Sequence, residues 1–72
     1  MTHGIYCIKD GDAQEYGPIF LAVNDKVAVR NFHNMFSGVT QEKDPFSLWC
    51  LGRYITSDGL IEVEEKREVP VE

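Results

Sequence analysis

Residues 46–55, FSLWCLGRYI, place apolar side chains on both sides of one β-strand, and this constrains the fold more than any other feature of the chain. Alternation sets Leu48, Cys50, Gly52 and Tyr54 on one side and Trp49, Leu51, Arg53 and Ile55 on the other. A strand that is apolar on both sides needs cover on both. Thr56-Ser57-Asp58-Gly59 then supplies an Asp-Gly turn. Leu60 to Glu64 returns with Ile61 and Val63 on one face against Glu62 and Glu64 on the other. The pattern predicts a hairpin with a half-polar final strand. The mixed-charge run Glu64 to Glu68 and the proline-broken end that follows predict that residues 64–72 are an exposed tail.

The N-terminal half reads as a second hairpin and a helix. Ile5 to Ile8 is a short strand that stops at the turn formers Lys9-Asp10-Gly11-Asp12, and residues 13–17 carry no clean period. Pro18 to Val23 is a second strand, its proline placed at the start where the ladder tolerates it. Asn24 is a good N-cap, with Asp25 favourable to the positive helix end. Ala28, Val29, Phe32, Met35 and Phe36 then fall on one face, away from Lys26, Arg30, Asn31, His33 and Asn34. Gly38 fits the left-handed position that ends a helix, and Val39 to Pro45 reads as a polar loop. The order is strand, strand, helix, strand, strand. It predicts a single α+β domain over residues 1–72: a small four-stranded antiparallel sheet (β-β-α-β-β) with one helix packed on one face.

That arithmetic leaves the second face of the sheet uncovered. A homodimer or a partner protein is one cover, with Phe20, Trp49, Leu51 and Ile55 as the expected interface residues. The other is the 39–45 loop and the C-terminal tail folding over the sheet.

Size and charge bound the function. A chain of 72 residues buries a small core, which argues against a deep enclosed active site. Twelve acids against seven bases give a net charge of −5, unfavourable for a whole-surface nucleic-acid binder though compatible with a local basic patch. The longest apolar run, Ile19 to Val23, is far short of the ~18 residues of a membrane span. Without an apolar signal region at the N-terminus, the expectation is a soluble, unexported protein. Cys7 and Cys50, both in apolar strands, read as small buried hydrophobes in a reducing compartment.

Little in the sequence points to catalysis. His3, Cys7, His33 and Cys50 lack the close ligand spacing of a structural zinc site, and no group is marked to orient a Cys-His nucleophile pair. The glycines are spaced as turns, with no Gly-Lys-Ser/Thr of a phosphate loop. We therefore expect no enzyme, metal, cofactor or small-molecule substrate. Sheets that bind single-stranded nucleic acid present aromatics for stacking, interleaved with cations that follow the backbone. Lys9, Lys26, Arg30, Trp49 and Arg53 are the candidate contacts here, with Tyr6, Tyr16 and Tyr54 as further stacking surfaces. The competing reading is that Trp49 is core and Lys26 and Arg30 belong to a solvated helix face.

The succession "IYCIKDGDA", "PIFLAVNDKVAVRNFHNMF" and "DPFSLWCLGRYITSDGLIEV" resembles the small nonstructural protein of gokushovirus-type microviruses, icosahedral phages with circular single-stranded DNA. The resemblance runs from Ile5 to about Val63. It is most specific at Ala28 to Phe32 and at Leu48 to Ile61, where Leu51-Gly52 and Asp58-Gly59 fall where the family has Ile-Gly and Thr-Gly. The chain departs from that pattern at Arg53-Tyr54-Ile55 and in a shorter 39–45 loop. The resemblance implies a phage accessory protein made in the host cytoplasm, with single-stranded DNA as ligand in replication or packaging. It supplies no catalytic residues.

Overall fold

The computed structural model describes residues 1–35 and 45–71. It is an α+β fold with strands β1 (Thr2–Asp10), β2 (Glu15–Tyr16) and β3 (Phe20–Ala22), helix α1 (Asp25–Met35), and strands β4 (Phe46–Ile55) and β5 (Leu60–Val69). All strands form one antiparallel sheet: β1 pairs on one side with β2 and β3 and on the other with β4, and β5 follows β4. The expected helix end at Gly38 and nearly all of the 39–45 loop lie outside the described residues.

The expected second strand, Pro18 to Val23, is shortened to β3, and a further two-residue strand, β2, precedes it in the 13–17 stretch that shows no period. Between the pairs Lys9↔Tyr16 and Tyr6↔Phe20, β1 moves three residues and its partner four. The extra residue lies around Pro18, which has no N–H to give the ladder. Gly17 bridges the gap by donating its N–H to the Ile8 carbonyl at 2.8 Å.

Helix α1 starts where the sequence predicts. The Asn24 side-chain oxygen accepts from the Val27 N–H at 2.9 Å, and the Asn24 carbonyl accepts from the Ala28 N–H at 3.0 Å. Its buried face is Ala28 and Phe32, both fully enclosed, packed with Tyr6, Ala22, Leu48, Cys50 and Val69. Alternation along β1 and β4 therefore sends Tyr6, Leu48 and Cys50 toward the helix. It sends Ile5, Cys7, Lys9 and Trp49 to the other, open face.

The expected tail at 64–72 is corrected. β5 continues to Val69, which pairs with Leu48 and is 2% exposed in the core, and Val71 packs against that core. His33 Nε2 lies 2.7 Å from the Val71 carbonyl oxygen, tying the chain end to α1. The charged run hides a strand for two reasons. Side chains 60–68 are exposed, and between Cys50↔Arg67 and Gly52↔Val63 β4 advances two residues while β5 advances four. Val63 shares the open face with Gly52 and Ile5 whereas Arg67, four residues on, faces the helix with Cys50 and Tyr6, so the two-residue period that marks a strand is interrupted between them.

One polar network fastens β5 to the helix and β1. Tyr6, 2% exposed, donates its hydroxyl to Asp25 Oδ1 at 2.6 Å, and Arg67 grips the same carboxylate with Nη1 on Oδ2 at 3.0 Å and Nη2 on Oδ1 at 3.1 Å. Arg67, first of all, and then the Tyr6 hydroxyl hold the Asp25 carboxyl below its usual range, while burial opposes them. Burial and the Asp25 carboxylate push the Tyr6 phenol well above its ordinary value.

Candidate nucleic-acid interface

The open face divides into two regions along β1. Around Lys9 it carries aromatic rings and lysines, with Glu68, the cross-strand partner of Trp49, on the same side. Tyr16 is Lys9's partner across the β1–β2 ladder, and their shared side of the sheet is the one that carries Cys7 and Trp49. The Tyr16 and Trp49 rings meet edge to face, centroids 6.0 Å apart. The Lys9 ammonium sits 5.3 Å from the centre of the Tyr16 ring, and Lys66 reaches in from β5 to 5.0 Å from the same ring. Trp49 donates its indole N–H to the Ser47 hydroxyl at 2.8 Å, which fixes the indole plane and leaves it half-buried. Neither Lys9 nor Lys66 is in an ion pair among the described residues. Beneath them Cys7 is fully enclosed. Burial raises its thiol pKa, and the Lys66 charge opposes that rise.

The sequence candidates are thus only partly gathered. Lys9 and Trp49 come together, joined by Tyr16. Lys26 and Arg30 are exposed on α1, which covers the opposite face. Arg53 is also off the cluster. Its Nη2 pairs with Glu62 at 2.7 Å and its Nε with Glu64 at 3.4 Å, so two carboxylates already balance it. Tyr6 is core, stacked on Phe20 at 5.9 Å and bonded to Asp25, and so is no stacking surface. Lys66 is the residue the sequence reading missed, because it falls in the charged run taken for a tail. The signal was there in principle: Lys66 and Glu68 alternate with Arg67 and Val69.

The four expected interface residues do not share one surface. Phe20 packs toward the helix side, Trp49 belongs to the open face, Leu51 is the extra residue of a β4 bulge, and Ile55 lies at the far end of β4 opposite Thr2 and Leu60. Cys7 and Cys50 are free thiols pointing to opposite faces, with Cys7 paired to Trp49 and Cys50 to Tyr6. Among the described residues there is no His/Cys/Asp/Glu group able to hold a metal ion. Among them, too, no helix is long and apolar enough to cross a membrane.

Fold and face together define a small α+β sheet protein with one side packed under a helix and a stacking surface flanked by two lysines on the other. The family model for phage ORF5 proteins matches residues 3–71, nearly the whole chain, and the chain belongs to that family. No curated protein and no solved structure matches it.

Proposed function

We propose that this phage protein is a nonenzymatic accessory factor that binds single-stranded DNA through the open face around Tyr16 and Trp49. The observation that carries the reading is a pair of lysines, Lys9 and Lys66, without an ion pair among the described residues and set 5.3 and 5.0 Å from one aromatic ring that itself packs on Trp49. Bases of a single strand stack on such rings whatever their identity, and the ammonium groups neutralise the phosphates between them. A duplex keeps its bases inside and gains only the charge contact.

The net charge of −5 does not rule this out, because binding responds to the local field. Glu62 and Glu64, the carboxylates nearest Arg53, are taken up by it on the other face. The resemblance of the hairpin and helix motifs to gokushovirus-type microviruses narrows the setting to a nonstructural protein in the host cytoplasm, acting where a single-stranded genome is copied or packaged.

Fluorescence anisotropy of a labelled single-stranded oligonucleotide, titrated at low and moderate salt, tests the reading. Micromolar binding that weakens with salt, is lost on Lys66→Glu and survives Arg53→Glu supports it. Equal binding to single-stranded and duplex DNA, or none at low salt, overturns it.

A further inference from the structure

The same open face has an apolar half, and we propose that this half is a weak contact between two copies of the chain. Its link to DNA, though not the contact itself, rests on the strand-binding reading above. Ile5 and Lys9 point to the same side of β1 but stand four residues apart, roughly 13 Å. Around Lys9 the face carries the rings, two lysines and Glu68. Around Ile5 it is an open groove of about 380 Å³ walled by Ile19, Leu21, Tyr54 and Ile61. Val63, paired with Gly52 beside Ile5, extends it along β5. Ile19 and Ile61 are each 63% exposed and Val63 is 86% exposed, values typical of surface polar side chains. Together these side chains present on the order of a few hundred Å² of contiguous apolar surface, the size that on a soluble monomer usually marks a contact.

Charge points to a second copy as the occupant, and area to a transient contact. The groove is lined without a charged side chain, so it meets its own image across a two-fold axis with no like charges opposed. Its area is below the ~800 Å² per partner of a standard stable interface. The contact is therefore too small to hold a permanent dimer of chains that each carry −5, and it forms when something else brings copies together. Adjacent sites on one DNA strand do this, raising the effective concentration to the millimolar range. Because the two halves are separated along β1, an offset pairing covers the apolar halves and leaves each Tyr16–Trp49 pair open.

Sedimentation equilibrium on the protein alone, up to millimolar concentration and at low and high salt, tests the contact. A titration with oligonucleotides long enough for one copy or for two tests its role on DNA. We expect a reversible dimer forming in the hundreds of micromolar and tightening as salt screens the repulsion between the acidic chains, the reverse of the salt dependence of DNA binding. Val63→Asp and Ile61→Asp, both at exposed positions, should each abolish it while circular dichroism stays unchanged. On the longer oligonucleotide the second copy should bind about tenfold more tightly than the first, and Val63→Asp should remove that advantage. A protein that stays monomeric at high salt, or a dimer that survives both substitutions, overturns the proposal. A dimer with no DNA binding at any length leaves the contact standing and removes the strand reading. Binding without self-association or cooperativity does the opposite.

Discussion

Lys66 and Tyr16 sit on strands at opposite edges of the sheet, yet the Lys66 ammonium lies 5.0 Å from the centre of the Tyr16 ring. Strands β4 and β1 lie between them, so the lysine side chain and the Tyr16 ring meet over the sheet, and Cys7 of β1 is sealed from solvent. Long cationic side chains cover apolar surface with their stems while the charge stays in water. The strand tests this arrangement first. Lys66→Glu should weaken single-strand binding roughly tenfold and lower the slope of log affinity against log salt by about 1. Lys66→Ala should also speed reaction of Cys7 with a thiol reagent, read by mass spectrometry of the intact protein. Unchanged labelling would mean that Trp49 and Tyr16 shield the thiol without the lysine.

The carboxylate of Asp25 makes stability depend on acid. Its folded pKa lies below its unfolded value, so it stabilises the fold above the unfolded pKa, and that contribution is lost as pH falls through the folded one. The Asp25 side chain is 45% exposed, so solvent screening holds the effect to about 1 kcal/mol. Urea unfolding at pH 7 and at pH 3 should show Asp25→Asn weaker than wild type by about that amount at neutral pH and nearly level with it in acid. A difference that persists at pH 3 would assign the cost to packing.

At Gly52 the backbone of β5 leaves no room for a side chain on β4. A Cβ at this position would run into the backbone carbonyl of Glu62 across the ladder. Gly52→Ala should cost about 1–3 kcal/mol in denaturant unfolding, because backbone cannot yield as a side chain can. A neutral result would mean that the bulge at Leu51 absorbs the strain.

Phe32 is fully enclosed between α1 and the sheet. Phe32→Ala should cost about 3–5 kcal/mol, most of the stability available to so short a chain. Thermal melting should lose its cooperative transition at 37 °C, and a sharp melt near the wild-type temperature would contradict the packing described.

What could be read in the sequence was local, and what could not was long-range. The Asn24 cap, the Ala28–Phe32 face and the Asp58-Gly59 turn each depend on residues a few positions apart. At that turn Gly59 takes φ 69° and donates its N–H to the Ile55 carbonyl at 2.8 Å. The grip of Arg67 on Asp25 joins residues 42 positions apart, and no spacing rule encodes it. Lys66 was hidden because the irregular pairing opposite Leu51 puts Val63 and Arg67 on opposite faces and interrupts the alternation that would have shown its strand. Trp49 was visible as a candidate, but which side of β4 it faced depended on the register with β1. Arg53 looked available only because Glu62 and Glu64, its partners, lie across a turn.

The most direct test of the central claim uses the chain's own reporter. Trp49 is the single tryptophan, so its fluorescence reports the proposed stacking surface alone. Titrating the unlabelled protein with a single-stranded oligonucleotide at low salt should quench and shift Trp49 emission, with a midpoint that rises with salt and with Lys9→Glu or Lys66→Glu. Emission that stays unchanged while an anisotropy signal shows the strand bound would place the DNA elsewhere and contradict the account.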